Sequence, residues 1–77
     1  MKLGVIHASR AAVDVVAEAY QRAEPTWEIT HLLDDGVMRM LQSRDWPRAH
    51  ARLDALARDL RRTYGVEAIL LPCSALP

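Results

Sequence analysis

The chain has 77 residues, room for one small domain or a portion of one. Ten basic residues, nine of them arginine, balance ten acidic ones, so the formal net charge is zero. That excludes the surplus of Lys and Arg which a broad nucleic-acid footprint requires, and a hydrophobic fraction of 51% excludes a disordered tail.

Lys2–His7 is a short apolar run, and Leu3, Val5 and Ile6 suit a buried strand. His7-Ala8-Ser9-Arg10 then forms a short connection, with Ser9 as N-cap of the next element. Ala11–Ala23 reads as a helix with Val13, Val16, Ala17 and Tyr20 on one face. Glu18 and Arg22 make an i,i+4 pair on its exposed side, and Pro25 closes it. Trp27–Leu33 reads as a second strand, ended by Asp34-Asp35-Gly36. Either aspartate suits the cap of a short helix over Val37–Gln42.

The clearest helix begins at Asp45, an N-cap with Pro47 in the first turn. Ala49, Leu53, Leu56, Ala57, Leu60 and Tyr64 form one stripe of 3.6-residue period. Arg61 and Arg62 stand in the last turn, where the helix dipole favours cations. Gly65 is a natural residue just past the helix end. Val66–Leu71 reads as a third strand, and Pro72 ends it. The order β-α-β-(α)-α-β predicts an α/β fold with a three-stranded parallel sheet and right-handed crossovers.

The single cysteine, Cys73, excludes an internal disulfide framework and a multi-thiolate zinc site. His7, His31 and His50 lie far apart in the sequence without ligand spacing, so no metal is expected. His31 and His50 are expected to take no part in chemistry. No apolar run reaches the roughly 18–20 residues of a membrane span. The N-terminal apolar stretch is too short for a signal peptide. A reducing cytoplasmic setting is the expectation.

In an open parallel sheet, ligands bind beyond the carboxyl ends of the strands. Three loops meet that edge here: His7–Arg10, Leu33–Gly36 and Cys73–Ala75. Cys73, at a strand end, is the sharpest feature, because a thiol before a helix N-terminus can be held as a reactive thiolate. An ordinary buried hydrophobe is the competing reading. His7 suits acid–base work, or a plain hydrogen bond to backbone. Ser9 suits anion binding, or simple capping. Arg10 can clamp a carboxylate, or stand solvated. Asp34 and Asp35 can line the edge, or cap and be solvated. The arginine-rich helix face, interrupted by Asp54 and Asp59, reads as solvated surface.

Gly4-Val5-Ile6-His7-Ala8-Ser9, His31-Leu32-Leu33-Asp34-Asp35-Gly36 and Ala68-Ile69-Leu70-Leu71-Pro72-Cys73-Ser74-Ala75 together resemble the opening half-domain of the Asp/Glu/hydantoin racemase superfamily. The resemblance implies a Rossmann-like or flavodoxin-like half-domain of strand order 2-1-3. It also implies an active site between two similar domains and no cofactor. Each domain supplies one cysteine, and the two thiols exchange a proton on opposite faces of a substrate carbon. Cys73 matches the first cysteine. His7 and Ser9 match the first-strand loop that holds substrate or assists the thiol, with Arg10 beside them. Ser74 matches the polar residue that contacts the substrate carboxylate. The implied partner is a small acid or amino-acid-like molecule, with no nucleic acid and no membrane. Many family members read Cys-Asn-Thr where this chain reads Cys73-Ser74-Ala75, and carry aspartate near the position of His7. These departures speak against aspartate or glutamate as substrate, and the resemblance leaves hydantoin racemisation, maleate isomerisation and arylmalonate decarboxylation open.

With one cysteine and one half-domain, residues 1–77 are expected to be a truncated α/β domain. The second domain is expected to be missing, or replaced by a homo-oligomer, and the chain alone to be inactive. The alternative is a non-catalytic interaction or binding module that pairs through its exposed third strand. A redox-sensing role for the Cys73 thiol is a further, weaker option.

Overall fold

The computed structural model describes residues 1–72. Its elements are β1 (Lys2–His7), α1 (Ala11–Ala23), β2 (Glu28–Leu33), α2 (Asp35–Gln42), α3 (Trp46–Tyr64) and β3 (Ala68–Leu70). The three strands form one parallel sheet, as the alternation of strands and helices predicts, and its order is β2-β1-β3, the order that the resemblance implied. In register, Val5 of β1 stands opposite His31 of β2 and Leu70 of β3.

The centre of the sheet is apolar on both faces because helices cover both. Ile6 and Ala8 join Val37, Leu41, Ala49, Leu56 and Leu60 in the core under α2 and α3. Leu3, Val5 and His7 alternate to the other face and are also buried. There α1 packs on β2. Val13, Val16, Ala17 and Tyr20, the face anticipated for α1, are only half-buried, and Val15 is exposed. Tyr20 meets Trp27 with ring centroids 5.8 Å apart.

The helix ends obey capping chemistry. The Asp34 carboxylate accepts from Gly36 N–H at 3.0 Å, so α2 starts at Asp35, two residues before the anticipated Val37. Asp45 caps α3 through the Arg48 N–H, with Pro47 in the first turn. Gly65 ends α3 in the left-handed conformation, φ 65°. At the start of α1, Ser9 Oγ accepts from Ala11 N–H at 3.2 Å. Arg10, not Ser9, occupies the residue flanking the helix, and it makes no side-chain cap.

Two elements are shorter than anticipated. The second strand begins at Glu28 rather than Trp27, and the third covers Ala68–Leu70 rather than Val66–Leu71. Val66 and Glu67 still make backbone bonds, to Leu60 O and Lys2 O, that lead the chain into the sheet. Tyr64 is also corrected: it is 46% exposed, so the core stripe of α3 ends at Leu60. Among the described residues, no helix is long and apolar enough to cross a membrane.

Candidate functional site

The carboxyl edge of the sheet gathers the first two of the three anticipated loops. His7 ends β1, and its carbonyl accepts the Asp34 backbone N–H at 2.9 Å. This bond ties the loop after β2 to the end of β1. Ser9 and Arg10 come directly after His7 and Ala8. On the other side β3 ends at Leu70, level with Val5. Cys73 and Ser74, the anticipated thiol and its neighbour, lie outside the described residues.

His7 is 1% exposed, the one buried polar or charged residue in the described core. Its Nε2 lies 2.8 Å from Nδ1 of His31. The ring centroids are 5.0 Å apart and the planes differ by 22°. A centroid separation close to the N···N distance plus two ring radii means that the rings meet edge to edge along the hydrogen bond. They do not stack face to face. Of two such facing nitrogens, one must donate and the other accept. The pairing arises from register: parallel β1 and β2 place His7 and His31 on one face, one row apart on neighbouring strands.

His31, expected to take no part in chemistry, is thus brought into direct contact with His7. The contact also separates His7 from the simple reading of a strand-end histidine bonded to backbone. The remaining ring nitrogen, His7 Nδ1, is buried without a hydrogen-bond partner among the described residues. An unsatisfied buried donor or acceptor costs about 1–3 kcal/mol. Burial, and then the neighbouring His31, hold the His7 imidazole below its ordinary value of 6.5. The charged ring loses its hydration there and gains no carboxylate in return.

The other edge residues are engaged differently. Asp34 is held by Arg52 of α3, Nε to Oδ2 at 2.5 Å, as well as by its cap to Gly36. The Arg52 hydrogen bond is the main reason its carboxyl lies below the ordinary carboxylate value, and burial, which opposes this, is outweighed. Asp34 is therefore a structural clamp and not a free acid at the edge. Asp35 is exposed in the first turn of α2. Ser9 spends an oxygen lone pair on the Ala11 N–H and keeps its hydroxyl proton free to donate. Arg10 is exposed and makes no ion pair among the described residues; its guanidinium is available to an anion at this edge.

A separate apolar groove of about 380 Å³ runs between α3 and β3, lined by Ile6, Leu53, Ala57, Ile69 and Leu71 with His50 and Asp54 at its polar margin. It lies on the α3 face of the sheet, away from the His7–His31 face, and includes none of the anticipated site residues. No group of three or more metal-ligating side chains is present among the described residues. No family model, curated protein or solved structure matches the chain.

Proposed function

We propose that this chain belongs to a cofactor-independent isomerase of the racemase type, in which Cys73 exchanges a proton with carbon. Arg10, Ser9 and Ser74 hold the carboxylate of an acid or amino-acid-like substrate, and His7 assists the thiol. The supporting observation is the composition of one sheet edge. A buried imidazole biased toward its neutral form, an uncommitted guanidinium and a free hydroxyl proton stand at the end of β1. In the sequence the one thiol follows the end of β3, the neighbouring strand, by three residues. A thiolate takes the α-proton, and the substrate carboxylate rests on Arg10 through charge-assisted hydrogen bonds.

One thiol serves one face of the carbon. Inversion requires a second acid–base group on the opposite face, supplied by a second domain or a second copy. The chain alone is therefore inactive as a racemase, and the half-reaction left to it removes and returns hydrogen on the same side. In D2O it exchanges the α-proton for deuterium with retention of configuration. Proton NMR of acidic amino acids and hydantoins tracks the loss of the α-signal, and chiral chromatography tracks configuration. Cys73-dependent exchange with retention supports the reading. Exchange that survives Cys73→Ala, or none with any substrate of these classes, overturns it.

A second reading rests on a different observation. Among the described residues β3 pairs with β1 alone, and the apolar groove lies between it and α3. An unpaired strand edge templates pairing with another chain. In this reading the protein is a non-catalytic module that associates through β3. Sedimentation velocity tests it: a concentration-independent monomer with sharp unfolding removes it.

A further inference from the structure

We propose that His31 is the outer member of a two-histidine proton relay that links solvent to the candidate site through His7. The inference rests on the reading of Cys73 as an acid–base thiol, and extends that reading to a residue it does not assign.

Three observations carry it. His7 is buried at the last position of β1, whereas His31 is half-buried and meets solvent. The nitrogens that face each other are 2.8 Å apart and the rings lie nearly in one plane along that line, the geometry of a direct hydrogen bond. The far nitrogen of His7 has no partner among the described residues, so the chain of hydrogen bonds ends there, inside the protein. Two imidazoles in line, one reaching water and one ending in an open buried nitrogen, form a conduit and not only a packing contact.

The proton count balances. In the starting state His31 donates its Nδ1–H to His7 Nε2, and His7 carries its other proton on Nδ1. His31 Nε2 takes a proton from water and the ring becomes an imidazolium. The bridging proton passes to His7 Nε2, and His7 releases its Nδ1 proton to the base that the proposed reaction leaves deprotonated. One proton has entered, one has been delivered, and both rings are neutral. The reverse sequence carries a proton from the loaded thiol outward and restores the first tautomers. Each turnover of a carbon acid leaves a thiol that must exchange its proton with solvent, and the relay supplies that step. No other titratable group intervenes among the described residues: Asp34 directs its carboxylate to Arg52 and Gly36, and Asp14, Glu18 and Arg22 of α1 are exposed.

The test is 15N NMR on the whole 77-residue chain. In the wild-type protein a through-hydrogen-bond coupling between His7 Nε2 and His31 Nδ1 is expected. The exchange of the His7 ring proton with water is then measured in the wild type, His31→Gln and His31→Leu. Glutamine preserves a polar side chain able to bond His7 but does not titrate, so it rescues a structural role and not a relay. Both variants are expected to slow the exchange about tenfold or more. Absence of the coupling in the wild type, or wild-type exchange in His31→Gln, overturns the relay. These readouts are independent of turnover. Relay behaviour without α-deuteration by the chain therefore removes the isomerase reading and leaves the relay standing, and the converse result separates them equally.

Discussion

Arg52 and Asp34 join the two halves of the fold: the α3 guanidinium meets, at 2.5 Å, the carboxylate that caps α2. One side chain thus performs two tasks, capping and ion pairing, and substitution can separate them. Asparagine caps about as well as aspartate but carries no charge. Asp34→Asn is expected to lose only the ion pair, about 0.5–1 kcal/mol given that Arg52 is partly solvated. Asp34→Ala loses the cap as well, about 1–2 kcal/mol in all. Urea denaturation of the two variants reads both values, and equal losses would show that the cap is idle.

The same contact sets an acid limit. Because Arg52 lowers the folded-state value of Asp34, the unfolded chain takes up a proton there first as pH falls. The stabilisation is complete above the ordinary carboxylate value of about 3.9 and is lost as pH falls through the lowered folded value. Thermal melts from neutral to strongly acid pH are expected to show this loss in the wild type. The loss is expected to be smaller in Asp34→Asn.

His7 acts in a higher window with the same sign. Its folded-state value is lowered, so the folded protein resists the proton that the unfolded chain accepts. Stability is full above about 6.5 and declines as pH falls from there to the lower folded value. The group that faces it is His31, whose own charge opposes that of His7. His7→Phe is expected to flatten this part of the curve, measured as unfolding free energy against pH. An unchanged slope would assign the decline to another group.

Periodicity and capping residues made most of the fold legible. The stripe from Ala49 to Leu60, the caps Asp45 and Gly65, and the apolar runs of β1 and β2 are local signals, and each became the anticipated element. Tyr64 continued the stripe on paper but lies past the end of the sheet's cover and faces water. The site was less legible because its contacts are not local. His7 and His31 are 24 residues apart and Asp34 and Arg52 are 18 apart. The first pair exists only once β2 adopts parallel register with β1, and the second only once α3 crosses back over the sheet. An alternation count would have placed His31 on one face of β2 with Ile29 and Leu33. It would not have named the ring opposite.

Gly4 shows how closely α3 lies on β1. A Cβ there would stand 2.8 Å from Leu60 Cδ1 and 3.2 Å from its Cγ. Leu60 is fully buried, so its side chain has little room to retreat. Gly4→Ala is therefore expected to destabilise by about 1–3 kcal/mol through overpacking. Leu60→Ala alone leaves a cavity worth about 2–5 kcal/mol. In the double variant the new methyl occupies part of that cavity, so the two losses should sum to more than the loss measured. Strict additivity in a double-mutant cycle would mean that the two sites do not touch.

Gly65 tests the backbone rather than the packing. Its φ of 65° and ψ of 33° are left-handed, and nothing lies within 4 Å of a Cβ built there. Any cost of a side chain is therefore conformational. An L-residue in this region costs about 1–2 kcal/mol, and the lower chain entropy of alanine in the unfolded state returns about 0.4–1 kcal/mol. Gly65→Ala is expected to lose about 1 kcal/mol net by these opposing terms. Gly65→Asn should lose less, since asparagine enters the left-handed region more readily. The Gly65 and Val66 N–H groups both bond Leu60 O, the latter at 3.4 Å, so this residue also directs the chain from α3 into β3. Amide hydrogen exchange should then show faster opening at Ile69 and Leu70 in Gly65→Ala than in β2. Uniform acceleration across the sheet would instead indicate that the turn only lowers global stability.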